Sequence, residues 1–164
     1  MIRIEALQEA AIGQAAPLAA QFRVTLKSYK GISSEPDPEA GAEELREYFA
    51  AGFPVYAAIE DDGTLCGYMV CRVDGACVWV ESLYVRPEVR RQGVGGALFR
   101  KAEELAASFG ENTVYNYVHP NNSGVIAFLR SMGYTVLNLI EIRKPYPGEK
   151  LSTEIRVGEN RVDY

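Results

Sequence analysis

The segment from Val85 to Leu98 constrains the fold more than any other part of the sequence. It reads VRPEVRRQGVGGAL: a β-rich run ends at Pro87, a basic loop follows, and three glycines open an apolar stretch with helical spacing. The first turn of a helix leaves backbone N–H groups without partners and carries the positive end of the helix dipole. The segment therefore predicts a strand, an anion-binding loop and a helix N-terminus suited to a pyrophosphate.

The spacing of the glycines narrows the choice of ligand. A dinucleotide-binding G-x-G-x-x-G motif would place glycine or alanine at position 98, where the chain has Leu98. The G-K-[ST] triplet of a Walker loop occurs nowhere in the sequence. Three glycines in four residues disfavour a helix start, which argues for a ligand rather than a purely structural role. Arg90 and Arg91 add charge that can face phosphates.

The periodicity of the rest of the chain predicts an α/β fold with a mixed sheet and helices on both faces. Hairpin turn signals at Asp61-Asp62-Gly63 and Asp74-Gly75 indicate an antiparallel meander between residues 54 and 85. At 164 residues the chain suits one domain, which we assign to residues 1–144, with a C-terminal extension at 145–164. The predicted elements are strands at 2–5, 54–60, 65–73, 76–85, 113–118 and 135–142, a weaker strand at 153–157, and helices at 8–28, 39–51, 93–109 and 122–131.

Composition excludes several classes of function. A net charge of −5 argues against nucleic-acid binding, and no apolar run reaches the ~18–20 residues that span a bilayer. The N-terminus lacks the apolar core of a signal peptide. Cys66, Cys71 and Cys77 are odd in number and lack the spacing of a zinc site, as expected for reduced thiols. We therefore expect a cytoplasmic protein without a metal, a nucleic-acid partner or a membrane association.

Two motifs resemble the GNAT superfamily of N-acetyltransferases. The run from Arg90 to Gly95 matches the family pattern [RQ]-x-x-G-x-[GA] after the fourth strand, and Gly96 extends the loop. Farther on, Asn122 opens a short helix that ends at Gly133-Tyr134, at the spacing of a second family motif. With the predicted order of elements, the resemblance covers about residues 2–143 and implies a GNAT-like fold with a mostly antiparallel sheet.

The resemblance implies acetyl-CoA as the acyl donor. Loop and helix amides would hold the pyrophosphate, and the end of the fourth strand would pair with pantetheine through its backbone. One strand N–H would stabilise the oxyanion of the tetrahedral intermediate. The cofactor-binding residues implied are Leu83, Tyr84, Val85, Arg90, Arg91, Gln92, Gly93, Val94, Gly95, Gly96, Asn122 and Phe128.

Direct attack of an amine on the thioester requires a base, for which we select Glu81. Strand alternation predicts that Glu81 shares a face with Trp79, Leu83 and Val85. Many relatives carry a tyrosine acid seven residues after the motif asparagine, but that position is Leu129 here. Water or another tyrosine could substitute: Tyr134, Tyr115, Tyr117 or Tyr84. For His119, the single histidine, we favour a hydrogen-bonding role over that of a base.

The acceptor is expected to be a primary amine. The first two helices and their loop carry five acidic residues, which would suit a polyamine, an amino sugar, a lysine side chain or a peptide N-terminus: Glu35, Asp37, Glu39, Glu43 and Glu44. The alternative is a non-catalytic acyl-CoA sensor, which Leu129 favours. The size of the acyl group and the formation of a homodimer through the tail stay open at this point.

Overall fold

A computed structural model describes all residues from 1 to 164. The chain folds into two compact units, Met1–Gly133 and Tyr134–Tyr164. The strands are β1 (Arg3–Ala6), β2 (Val55–Ile59), β3 (Leu65–Asp74), β4 (Cys77–Val85), β5 (Tyr115–Asn116), β6 (Glu154–Val157) and β7 (Asn160–Asp163). The helices are α1 (Ile12–Ser28), α2 (Pro38–Ala50), α3 (Val94–Ser108) and α4 (Ser123–Ser131), with short 3-10 turns at Glu9–Ala11 and Pro87–Val89. None of these helices combines the length and the apolar character that crossing a membrane requires.

The first unit is built on a five-stranded sheet with the order β1-β2-β3-β4-β5. The first four strands are antiparallel, and β5 runs parallel to β4. Helices α1 and α2 cover one face, where Tyr68, Val70 and Tyr84 belong to the core. Helix α3 covers the other face and buries Leu98 and Phe99 completely. The expected α/β fold with helices on both faces of a mixed sheet is confirmed.

Strand β4 contains a β-bulge at Glu81. Val70 of β3 pairs with Ser82 and the next residue, Cys71, pairs with Val80, so Glu81 has no partner of its own in β3. An extra residue in one strand reverses the faces of the side chains that follow it and bends the strand. The two halves of β4 therefore present their side chains in opposite phase, which strict alternation along the sequence does not predict.

The parallel pairing of β4 with β5 is very short. It comprises Trp79 with Tyr115 and Val80 with Asn116, after which the chain leaves the sheet. The residues of β4 that follow the bulge, 81–85, thus have β3 on one side and no strand on the other. Their outward backbone groups form an open edge, which can accept a further extended chain.

The second unit contains the β6–β7 hairpin and no strand at residues 135–142. The prediction of a strand there is wrong, because an alternating apolar run becomes a strand only where its backbone groups find ladder partners. The segment stays irregular, and Val136 and Leu139 are 87% and 73% exposed. The weaker strand predicted at 153–157 is confirmed as β6.

The packing of α1 on α2 generates a stability prediction, because a Cβ at Gly41 would lie 2.5 Å from the carbonyl oxygen of Ala16. We expect Gly41→Ala to destabilise the protein by about 1–3 kcal/mol, since this clash is with backbone and exceeds the helix-propensity gain of about 0.5–1 kcal/mol. Gly13→Ala in α1 is the matched control, because nothing lies within 4 Å of its Cβ position. It should stabilise the fold slightly. Urea unfolding measures both changes, and equal effects at the two sites would contradict the close helix contact.

Candidate active site

The first turn of α3 offers unpaired backbone donors. The first helical hydrogen bond runs from the N–H of Ala97 to the carbonyl of Gly93 at 2.9 Å. The N–H groups of Val94, Gly95 and Gly96 precede it and have no carbonyl four residues back within the helix. Gly93 is the N-cap and has φ +86°, a left-handed conformation that glycine adopts without strain. The predicted helix N-terminus with free donors is therefore present.

Arg91 introduces strain into the same loop. It has φ +63° and is the single non-glycine residue of the chain with a positive φ. For an L-residue this conformation costs about 1–2 kcal/mol, and such strain concentrates at ligand-binding sites. Left-handed residues in a turn also direct successive N–H groups into one concavity, which suits an anion. Nothing in the sequence indicated this conformation.

Gly95 and Gly96 are not required by the backbone or by crowding. A Cβ at Gly95 would lie 3.7 Å from the ring of Phe128, and one at Gly96 would lie 3.6 Å from Nη1 of Arg100, both at ordinary contact distances. Their missing side chains instead leave the N–H groups of the turn open to a ligand. Phe128 packs edge-on against Phe99, with ring centroids 5.7 Å apart, and thus connects α4 to the glycine turn.

The open edge of β4 leads to this turn. Register places Leu83 opposite Met69 and Val85 opposite Gly67, on the face covered by α3, whereas Tyr84 points to the other face and is 7% exposed. Arg90 folds back over this strand end: its Nε donates to the carbonyl of Val85 at 2.8 Å, and its guanidinium lies 5.4 Å from the centre of the Tyr84 ring. The adjacent Gln92 donates from Nε2 to the carbonyl of Glu88 at 3.3 Å.

Asn122 lies at the start of α4, the helix whose Phe128 reaches the glycine turn. Its Oδ1 accepts from the N–H of Val125 at 3.1 Å, which makes it the N-cap of the helix. The same oxygen accepts from the hydroxyl of Tyr29, also at 3.1 Å. Because both bonds use Oδ1, the amide nitrogen is left to donate to a ligand. Tyr29, at the end of α1, was not among the residues expected at the site.

Glu81 is at the bulge, and its predicted face needs correction. Arg72 pairs with Trp79 in the ladder, and its Nε lies 3.4 Å from Oε2 of Glu81, so these three side chains share a face. Leu83 and Val85 do not share it, because the bulge reverses the phase of β4 after Glu81. The side chain of Glu81 is 33% exposed, so an incoming molecule can reach it. The contact with Arg72 is an ion pair without hydrogen-bond geometry, since Arg72 Nε has no hydrogen-bond partner.

Aromatic rings surround Trp79 on this face. The ring of Tyr117 stacks on it at 4.7 Å and 13°, and the ring of Tyr115 lies 4.8 Å away. The guanidinium of Arg72 lies 5.2 Å from the Trp79 ring. Tyr117 is 63% exposed, so the stack ends in an aromatic ring that faces solvent, and Arg72 links the stacked Trp79 to the Glu81 carboxylate. A cation can bind such a pair through both charge and the ring face.

The residues considered for proton donation occupy different places. Leu129 is 8% exposed and carries no proton to give. Tyr84 is buried, and burial raises the pKa of its hydroxyl, an effect that Arg90 partly offsets. Tyr134 belongs to the second unit. His119 accepts from the N–H of Asn121 at Nδ1, and burial, with a smaller contribution from Lys30, lowers its pKa, so it is a neutral hydrogen-bonding residue.

Two of the acidic residues expected to attract an amine have structural roles. Asp37 caps α2 by accepting from the N–H groups of Glu39 and Ala40, both at 3.1 Å. Glu44 forms a two-point ion pair with Arg23, which raises the pKa of that guanidinium. The remaining three, Glu35, Glu39 and Glu43, are exposed.

Two of the three thiols are unsuited to nucleophilic catalysis. Burial raises the pKa of Cys71 to about 12 and also raises that of Cys66. A thiol needs thiolate character to attack a carbonyl. Neither residue therefore supports an acyl-enzyme route.

Comparison with known proteins is consistent with this geometry. The model of the acetyltransferase (GNAT) family matches residues 22–134, which include both predicted motifs. The chain belongs to the acetyltransferase (GNAT) family. The expected class of enzyme, an N-acetyltransferase that uses acetyl-CoA, is confirmed at the level of this family.

Relatives of this GNAT protein differ in the acceptors that their names state. Peptidyl-lysine N-acetyltransferase YjaB of Salmonella typhimurium is 30% identical over 111 residues, which span 66% of this chain and 70% of YjaB. PaiA N-acetyltransferase of Thermoplasma acidophilum, solved with coenzyme A, has a TM-score of 0.67 at 22% identity and covers 80% of this chain and 88% of its own. Aminoglycoside N-acetyltransferase AAC(6')-Iy, also solved with CoA, has a TM-score of 0.68 at 17% identity, with coverages of 88% and 95%.

The residues of this GNAT chain fit CoA on their own chemistry. Free N–H groups at the start of α3 and the strained loop at Arg91 suit a pyrophosphate. The open edge of β4 suits the amide groups of pantetheine, and the unpaired nitrogen of Asn122 faces no protein acceptor. Bound there, acetyl-CoA supplies an activated acyl group.

The strain at Arg91 predicts opposite effects on stability and on binding. In Arg91→Gly the left-handed conformation loses its penalty of about 1–2 kcal/mol, which exceeds or equals the entropic cost of glycine, about 0.5–1 kcal/mol. The thermal midpoint should stay equal or rise, whereas CoA affinity measured by calorimetry should fall about tenfold or more with the lost charge-assisted contact. Arg91→Lys keeps the positive charge and the strained left-handed backbone, so its thermal midpoint and its CoA affinity should both remain close to those of the wild type. A parallel loss of stability and affinity in Arg91→Gly would contradict a role for the strain in binding.

Proposed function

We propose that this protein transfers an acetyl group from acetyl-CoA directly to a cationic primary amine. The observation that carries the proposal is the open edge of β4, residues 81–85, which leads into the free N–H groups of the first turn of α3. Acetyl-CoA lying along that edge would bring its thioester next to Glu81 and to the backbone N–H groups of the strand. Holding amine and thioester together supplies much of the rate gain, because reactants fixed in near-attack geometry avoid the entropic cost of meeting.

Glu81 is the proposed base. A free alkylamine has a pKa near ~10, so it must lose a proton before it can attack. The Glu81 carboxylate is accessible and can accept that proton, directly or through a water molecule. Arg72 and the bulge hold the carboxylate on the same face as Trp79, which is where an acceptor can approach. A β4 backbone N–H, at Leu83 or its neighbours, would stabilise the oxyanion that forms when nitrogen attacks the carbonyl carbon.

The proposal of a cationic acceptor is based on the surface around Glu81 and Trp79 rather than on the acidic residues of the first two helices. The exposed ring of Tyr117 and the Glu81 carboxylate together favour a positively charged group over a neutral one. The names of YjaB and AAC(6')-Iy state a peptidyl lysine and an aminoglycoside, both of which present cationic amines. We therefore place lysine side chains and amino sugars first among the acceptor classes to be tested.

The second candidate function is an acyl-CoA sensor without catalysis. It is favoured by one observation, that Leu129 supplies no proton donor at the position where many relatives carry tyrosine. Both functions predict CoA binding, and release of free thiol separates them. A thermal shift with acetyl-CoA together with no thiol release from any amine would favour the sensor.

The base assignment predicts a selective loss of turnover. Glu81→Gln should lower kcat/KM for a responsive amine about 100-fold or more, the usual contribution of a positioned base, and should leave the calorimetric Kd for CoA nearly unchanged. Glu47→Gln on the exposed side of α2 is the matched control and should behave as the wild type. Thiol release measured with Ellman's reagent over a panel of cationic, neutral and anionic amines provides the assay. Turnover restricted to neutral or anionic amines would overturn the cationic acceptor, and an unaltered rate in Glu81→Gln would remove this residue from the mechanism.

A further inference from the structure

Tyr29 is held next to the start of α4 by three contacts, one of them through its hydroxyl. The hydroxyl donates to Oδ1 of Asn122 at 3.1 Å, and the ring stacks on His119 with centroids 6.2 Å apart at 15°. The backbone carbonyl of Tyr29 accepts from Nδ2 of Asn121 at 3.0 Å. A side chain and a main-chain carbonyl fixed together in this way give the phenol one defined position at the start of α4.

The family resemblance places the proton donor for the leaving thiol on α4, at the position of Leu129. Helical side chains lean toward the N-terminus of their helix, so a tyrosine at position 129 would extend its hydroxyl toward the first turn of α4. The Tyr29 hydroxyl reaches that turn from α1 instead. Because it contacts Asn122, which the family resemblance places among the cofactor-binding residues, the phenol lies beside the path proposed for the cofactor.

The other tyrosines considered for this step are committed elsewhere. Tyr84 is buried against Phe22 on the core side of β4, with ring centroids 6.5 Å apart. Tyr117 stacks on Trp79 and Tyr115 packs against it at a tilt, on the side proposed for the acceptor. Tyr29 is the tyrosine whose hydroxyl contacts Asn122.

We propose that Tyr29 is the general acid of the acetyl transfer, an inference that rests on the proposed function. The amine nitrogen forms a bond to the acetyl carbon, and the carbon–sulfur bond of the tetrahedral intermediate then breaks with its electron pair on sulfur. The Tyr29 hydroxyl gives its proton to that sulfur, which leaves as the CoA thiol. The tyrosinate then takes a proton from water. The proton that the amine released to Glu81 returns to the solvent, so the proton count balances. No oxidant, reductant or further reactant is consumed.

Removal of the hydroxyl tests the assignment. Tyr29→Phe keeps the ring on His119 and should retain the thermal midpoint of the wild type. It should lower kcat about 100-fold, abolish the decline of kcat at alkaline pH that a phenolic acid causes, and change the calorimetric Kd for CoA less than threefold. Tyr146→Phe is the control, because it removes an exposed phenol of the second unit, and its kcat and the decline of that kcat at alkaline pH should match the wild type.

A second variant tests whether a hydroxyl at this place is what matters. In Tyr29→Phe/Leu129→Tyr the lost donor is replaced from α4, and kcat should recover at least tenfold over Tyr29→Phe, with the alkaline limb restored. A wild-type kcat in Tyr29→Phe would overturn the assignment. A loss confined to the CoA Kd would also overturn it, since that result assigns Tyr29 to orienting Asn122. Absence of thiol release by the wild type on every amine would instead overturn the proposed function, and the acid assignment with it.

Discussion

The site depends on the short pairing of β4 with β5. Two residues of β5 hold the strands together at Trp79 and Val80, and beyond them β4 has β3 on one side and an open edge on the other. An open strand edge leaves N–H and C=O groups without ladder partners, and in β4 Arg90 already donates to the carbonyl of Val85 at the end of this edge. An extended ligand with amide groups can pair with the groups that stay open. The bulge at Glu81 stands at the start of the open edge, so the same irregularity bends the strand and presents the carboxylate beside it.

The anion-binding turn completes this arrangement at the other end of the edge. Gly93 and Arg91 take left-handed conformations within three residues, and the three N–H groups that follow them point out of the helix without internal partners. The penalty at Arg91 is small compared with the stability of a domain, about 5–15 kcal/mol, so the fold tolerates it. In the proposed function the two parts would act on different portions of one ligand. The strand edge would orient the acyl arm and the turn would hold the phosphates, which would fix the thioester relative to Glu81.

The parts of this account that depend on local sequence were predictable, and those that depend on tertiary pairing were not. Glycine and aspartate turns marked the β2–β3–β4 meander, and Asn122 and the glycine loop marked the starts of α4 and α3. The bulge left no local signal, so alternation wrongly placed Leu83 and Val85 on the face that Glu81 shares with Trp79. Tyr29 lies 93 residues before Asn122, and no periodicity links them. The strand expected at 135–142 has the right pattern, but its backbone has no ladder partner in the chain, and pattern alone cannot supply one.

The most direct test of the central claim, that acetyl-CoA occupies the β4 edge and the first turn of α3, is amide hydrogen exchange with and without acetyl-CoA. At an acetyl-CoA concentration ~100 times Kd, amides that exchange only after the ligand has dissociated should exchange ~100-fold more slowly. This slowing is equivalent to about 2.7 kcal/mol. The account predicts that protection is concentrated in the amides of 83–85 and 91–96, with the β2–β3 turn at 61–64 unchanged. Protection at that turn, with exchange at 83–85 and 91–96 unaffected, would contradict it.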